Sequence, residues 1–140
     1  KKNECSYSNN KKTNKWTEYY DSGQVAEQGY YKLPKEDWDD SKKTGNWIYY
    51  NDDGIVDRQG SYKEDVEVGE WIVYYSDGQI KSIGNYKIDE DGYSSYEDGE
   101  WIYYHRNGQI ESTGSYSEGD QIGKWILYHD DGSIYLTKEY

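Results

Sequence analysis

Large apolar positions recur along the chain in short alternating runs broken by polar turns. Residues 69–86, GEWIVYYSDGQIKSIGNY, show the pattern most clearly. Alternation at every second residue is the signature of a half-buried strand. Asp77-Gly78 between two β-prone runs marks a hairpin, because a tight turn needs positive φ. With Asp77 and Gly78 as a two-residue turn, Ser76 faces Gln79, Tyr75 faces Ile80, Val73 faces Ser82, Trp71 faces Gly84 and Gly69 faces Tyr86. Each large ring is thus expected opposite a glycine, covering the space its missing side chain leaves. One face carries Trp71, Val73 and Tyr75 with Ile80, Ser82, Gly84 and Tyr86, and is expected to be the packed one. The other carries Ile72, Tyr74, Lys81 and Ile83, and is expected to be a half-wet Tyr/Ile surface.

The same skeleton recurs. Trp falls at positions 16, 47, 71, 101 and 125, with a Gly seven residues after each. A second Gly follows by thirteen at 29, 60, 84 and 114, and a Tyr by fifteen at 31, 62, 86, 116 and 140. Such periodicity marks a repeat array and outranks any local motif in setting the fold. The repeats run over 14–31, 45–62, 69–86, 99–116 and 123–140 of one domain spanning 1–140. Tyr7 precedes Trp16 as Tyr62 precedes Trp71, so the start reads as the last strand of an incomplete repeat. Connectors 32–44 and 87–98 are long, and 63–68 and 117–122 are short. Lys138 stands where the other repeats have their second Gly. The expected fold is all-β, an elongated single-layer antiparallel β-meander of about ten strands in repeated hairpins, with no helix.

Composition changes the picture in two ways. The 140 residues carry 16 basic and 28 acidic side chains, a net charge of −12. That balance argues against nucleic acid and anionic membrane as partners, since both select basic surfaces. The 19 Tyr and six Trp are periodic, which argues against disorder. Cys5 is the single cysteine, so no disulfide forms within the chain. The KKNE before it is not the apolar segment that acylation of a lipoprotein cysteine requires. A bacterial cytoplasmic location is expected, with the cell envelope the alternative where a signal has been removed. The expected state is a monomer.

The segments GNWIYYNDDG, GEWIVYYSDG, GEWIYYHRNG and GKWILYHDDG, and more weakly NKWTEYYDSG, resemble MORN repeats in their variant form. The resemblance covers nearly the whole chain. It implies a one-layer sheet of successive hairpins and a scaffold or interaction module. Some bacterial members are labelled antitoxin components, and lipid binding is ascribed to others, which the charge of −12 argues against here. The family has no catalytic constellation to carry over.

Candidate chemistry is sparse. His105 and His129 lie one repeat apart, roughly 10 Å across two strand spacings, too far for one zinc ion without further ligands. Segment 89–92 has a calcium-loop composition but fails the EF-hand ligand pattern at Lys87. No nucleophile and base stand at a telling spacing, so no enzyme activity, metal or cofactor is expected. Two surfaces are candidates for a protein partner. The first is a Tyr ladder three residues after each Trp, including Tyr50, Tyr74 and Tyr104, since rigid amphipathic Tyr suits interfaces. The second is an acidic, aromatic clamp made by the long connectors: Trp38, Asp39 and Asp40 in one, Tyr93 and Tyr96 in the other. The expected function is a non-enzymatic interaction module, antitoxin- or immunity-like, binding a basic protein. The alternative is an envelope or carbohydrate-binding repeat protein.

Overall fold

The computed structural model describes the backbone of residues 2–8, 11–32 and 41–140, and side chains from residue 15 onward within those ranges. The strands are β1 (Lys2–Ser8), β2 (Lys11–Tyr19), β3 (Val25–Lys32), β4 (Lys42–Tyr50), β5 (Val56–Lys63) and β6 (Val66–Tyr74). They continue as β7 (Ile80–Ile88), β8 (Ser95–Glu97), β9 (Gly99–Tyr104), β10 (Ile110–Ser117), β11 (Asp120–Tyr128) and β12 (Ile134–Glu139). All belong to one antiparallel sheet in chain order, with the short β8 pairing β7 beside β9. No helix occurs among the described residues.

The expected register holds, by a different route. Trp16, Trp47, Trp71 and Trp101 pair with Gly29, Gly60, Gly84 and Gly114. The Asp-Gly turns, however, are not two-residue turns. Tyr75 N–H donates to the Gln79 carbonyl at 2.7 Å, and Gly78 N–H to the Tyr75 carbonyl at 2.9 Å. Gly78 sits at φ +85°. This is a three-residue loop of a turn plus a bulged glycine, and it makes Tyr74, not Tyr75, the partner of Ile80. Lys81 then bulges out and restores the pairing of Val73 with Ser82. Turn and bulge compensate each other, and the other four hairpins show the same pair of irregularities.

Short connectors hide the two-residue turns. Lys63 pairs with Val66 around Glu64-Asp65, at φ 52° and 74°, and Ser117 pairs with Asp120 around Glu118-Gly119, at φ 53° and 84°. Positive φ at both central residues matches the right-handed strand twist. Long and short connectors alternate, so the array has a superperiod of two repeats: Trp47 corresponds to Trp101 and Trp71 to Trp125.

A second bulge decides the packing. Gln59 pairs with Ile72 but Ser61 with Val68, so Gly60 faces three residues, Gly69 to Trp71. Gly69 takes φ +67°, which a side chain would oppose. The excursion lays the Trp71 ring on Gly60, the glycine of the preceding repeat. A Cβ on Gly29, Gly60, Gly84 or Gly114 would fall within the rings of Trp47, Trp71, Trp101 and Trp125 respectively. The ring over each glycine is therefore that of the following repeat, which corrects the expectation that the hairpin's own Trp covers it.

Tyrosines complete this face. Trp16, Tyr31, Trp47, Tyr62 and Trp71 meet edge to face in turn, at centroid distances of 5.4, 5.1, 6.1 and 5.2 Å. Tyr86, Trp101, Tyr116, Trp125 and Tyr140 continue the series at 5.3, 5.9, 5.1 and 6.5 Å. Such T-shaped contacts match the positive ring edge to the negative ring face. A one-layer sheet thus builds a core on its own surface, with Trp47 wholly buried and Trp71 2% exposed.

Candidate interaction faces

Period two sends Ile and Tyr to the face opposite the tryptophans. One row runs unbroken across the sheet by strand pairing: Thr17, Gln28, Ile48, Gln59 and Ile72, then Ile83, Ile102, Thr113, Ile126 and Thr137. Beside it runs the predicted Tyr ladder. Tyr50 pairs with Val56, Tyr74 with Ile80 and Tyr104 with Ile110. All three tyrosines are half-buried, and Tyr74 accepts a hydrogen bond from Gln59 Nε2 at 2.8 Å. Asn46, Ile48, Gln59, Ser61, Glu70 and Ile72 surround a hollow of about 370 Å³ on this face.

The ladder is held from the turn rim. Tyr20 donates its hydroxyl to the Tyr50 carbonyl at 2.5 Å, and Tyr75 to the Tyr104 carbonyl at 2.7 Å. His105 repeats the contact, its Nε2 3.0 Å from the Tyr128 carbonyl, while the His129 ring packs edge-on against Tyr135. Turn acids serve their own loops: Asp77 accepts from Gln79 N–H, and Asp131 from the Ser133 N–H and hydroxyl. Both rims remain exposed and acidic, with Asp52, Asp53, Asp77, Asp130 and Asp131 on one and Glu64, Asp65, Glu90, Asp91 and Glu118 on the other.

Of the proposed clamp, Trp38, Asp39 and Asp40 lie outside the described residues. The second connector is a closed turn on an extended hairpin. Asp89 accepts from the N–H groups of Gly92 and Ser94 at 2.9 and 3.3 Å and from the Ser94 hydroxyl. The Ser94 bond, and after it Asp91, draw the Asp89 carboxyl down to about 2. Tyr93 projects at 83% exposure. Tyr96 is half-buried in β8 opposite Lys87. Tyr93 thus lies in the exposed turn and Tyr96 in the strand that follows it.

The tryptophan face has its own polar chemistry, which the sequence reading missed. Lys43 Nζ lies 4.1 Å from the Trp47 ring and donates to the Tyr49 hydroxyl at 2.9 Å. Tyr49 donates to Tyr62 at 3.0 Å, and Tyr62 to Glu67 at 3.1 Å. Arg58 closes the network on Glu67 at 3.1 Å, 4.5 Å over Tyr49 and 5.3 Å over Trp71. Burial, and after it the Tyr49 hydroxyl, push the Tyr62 phenol well above its ordinary range. Burial does the same to Tyr103, with Tyr116 second. Burial is the largest influence on the Lys43 ammonium and disfavours it, but the Tyr49 bond together with the charges of Tyr49, Glu27 and Tyr31 outweighs burial, and its pKa rises. The signal was available, since period two places a cation at 58 where the equivalent positions 82 and 112 carry serine.

A family model described as MORN repeat variant matches residues 12–33, 43–64, 67–87 and 97–118, more than half of the chain. The repeat at 123–140, with Lys138 at the glycine position, lies beyond the matched residues. No curated protein matches. Among solved structures the chain is similar to one described as "Crystal structure of GtfA/B complex bound to UDP and GlcNAc", at 13% identity and a TM-score of 0.30. The match covers 91% of this chain and 22% of that one, and a likeness so distant carries no argument.

Proposed function

Because the chain belongs to the MORN repeat variant family, whose repeats are generally protein- or membrane-interaction modules, we propose that it is a non-enzymatic module that binds a basic protein. An antitoxin- or immunity-like role, sequestering that protein, fits this chemistry. The observation that carries the reading is the contrast between faces. The tryptophan rings are consumed by packing within the chain, whereas Ile72, Tyr74, Ile83 and Tyr104 stay half-exposed in continuous rows. Amphipathic tyrosines beside aliphatic neighbours make an interface core, and exposed acids on both rims make its polar border. Complementary charge adds specificity and association rate more than affinity.

Affinity capture from native lysate, with wild type and a Tyr50→Ala/Tyr74→Ala/Tyr104→Ala variant, tests this. A basic protein retained by wild type in low salt, released by high salt and lost by the variant is the expected result. Retention of a polysaccharide instead would favour the envelope or carbohydrate reading. Equal retention of the protein by the variant would remove the ladder from the interface.

A further inference from the structure

We propose that the groove over Ser112, on the tryptophan face, is an aromatic site for a guanidinium group, an arginine side chain of a partner protein. The proposal goes beyond the reading above, because it lies on the opposite face and uses different residues. Its warrant is internal. Two repeats earlier the chain fills the corresponding position with its own Arg58, and so displays the occupied state.

Arg58 rests over Tyr49 and Trp71, is paired across the sheet with Val73, and bonds Glu67, the residue opposite Tyr62. One superperiod on, each wall has a counterpart. Tyr103 replaces Tyr49, Trp125 replaces Trp71, Leu127 replaces Val73 across from Ser112, and Tyr116 replaces Tyr62. The tyrosine hydroxyls keep their relation, 3.0 Å apart at Tyr49 and Tyr62 and 3.4 Å at Tyr103 and Tyr116. Tyr103 and Trp125 lie 6.4 Å apart and form the aromatic floor. Two groups differ: Ser112 stands in place of Arg58 and Gln121 in place of Glu67, while the Lys138 ammonium lies over the Tyr140 ring at the edge of the groove. Serine in place of arginine leaves a groove of about 260 Å³, lined by these walls and Tyr140.

Electrostatics select the occupant. Gln121 stands where Glu67 stood, opposite Tyr116, and the acidic Glu111, at the bulge beside Ser112, is among the residues lining the groove. A guanidinium there gains the ring faces, one carboxylate and the Gln121 amide oxygen as acceptor. Arginine suits such a site through its planar, weakly hydrated head. The equivalent position in the intervening repeat is closed, since Ser82 is buried.

The test is a titration of the full chain with a tetra-arginine peptide, and with its citrulline counterpart, following the indole N–H resonances by NMR. The expected result is a saturable shift of Trp125 with no matching shift of Trp71, its counterpart, whose ring already carries Arg58. Ser112→Arg, which supplies the cation in place, is expected to weaken binding about tenfold, as loss of one cation–π site would. Should that variant fail to fold, Ser112→Leu fills the groove without charge and is expected to do the same. Shifts spread along the acidic rims and unchanged by either substitution would overturn the site while leaving the basic-partner reading intact. Absence of any arginine-dependent shift would overturn the site on its own.

Discussion

The two faces of this sheet come from the same strands, yet they use aromatic residues in opposite ways. On one face Trp47, Trp71, Trp101 and Trp125 pack against tyrosines and are each seated on a glycine, which leaves them at most 5% exposed. On the other, tyrosines alternate with Val and Ile in rows that stay half-exposed. With no second layer among the described strands, one face becomes the core and the other stays available. The lesson is that aromatic content alone does not identify a binding surface; its saturation does.

The largest expected effect breaks the first face. Gly84→Val places a branched side chain inside the Trp101 ring. The loss should be about 3 kcal/mol or more in a denaturant titration. Val73→Ala, at a half-buried position on the same face, should cost about 1 kcal/mol. Equal losses would refute the seating of the ring on the glycine.

The contrast sharpens on the second face. Tyr74→Ala removes a cross-strand partner of Ile80 and the acceptor of the Gln59 bond. It should cost about 1 kcal/mol in the same titration and weaken partner capture far more than that cost implies.

Alkali distinguishes the faces in another way. Tyr31, Tyr62, Tyr86 and Tyr103 of the tryptophan face all have phenols raised above 10.0, first by burial. The unfolded chain therefore loses those protons first as pH rises. Stability should be intact below about pH 10 and fall above it. Tyr62→Phe should lessen that fall, and an unchanged alkaline limb would count against it.

The smallest effect touches neither face. Glu118→Asn converts the Glu118-Gly119 turn into a favoured Asn-Gly pair. It should add up to about 1 kcal/mol, since asparagine tolerates the φ of 53° at that position better than glutamate.

Much of this architecture was legible in the spacing of Trp, Gly and Tyr. The Trp71–Gly84 pairing follows from counting residues, because turn and bulge together consume the same length as a simple two-residue turn. Counting cannot separate those two solutions, so Tyr75 was given Tyr74's partner. The owner of the ring over each glycine was not legible for a related reason. A hairpin considered alone ignores the three-residue excursion from Gly69 to Trp71, which reaches back to the strand before. Glu64-Asp65 was passed over because it lacks the glycine that marks a tight turn and glutamate seldom takes positive φ, so the sheet on either side imposes the conformation. Of the candidate sites, the Tyr ladder was readable from period two. The Ser112 groove was not, because an empty position becomes visible only beside its filled counterpart at Arg58.

Seating each tryptophan on the glycine behind it gives the array a direction. Every hairpin presents a plug toward its predecessor and a socket toward its successor, like the head and tail of a polymerising unit. Whole repeats can then be gained or lost without inventing an interface, since any plug fits any socket. Stability should grow through nearest-neighbour joints rather than through one shared core. Position 138 departs from the rule. A lysine stands in the socket there, its ammonium 4.0 Å over the Tyr140 ring and bonded to the Tyr140 hydroxyl. Lys138 thus fills with its own side chain the kind of space that Gly29, Gly60, Gly84 and Gly114 leave to a tryptophan ring.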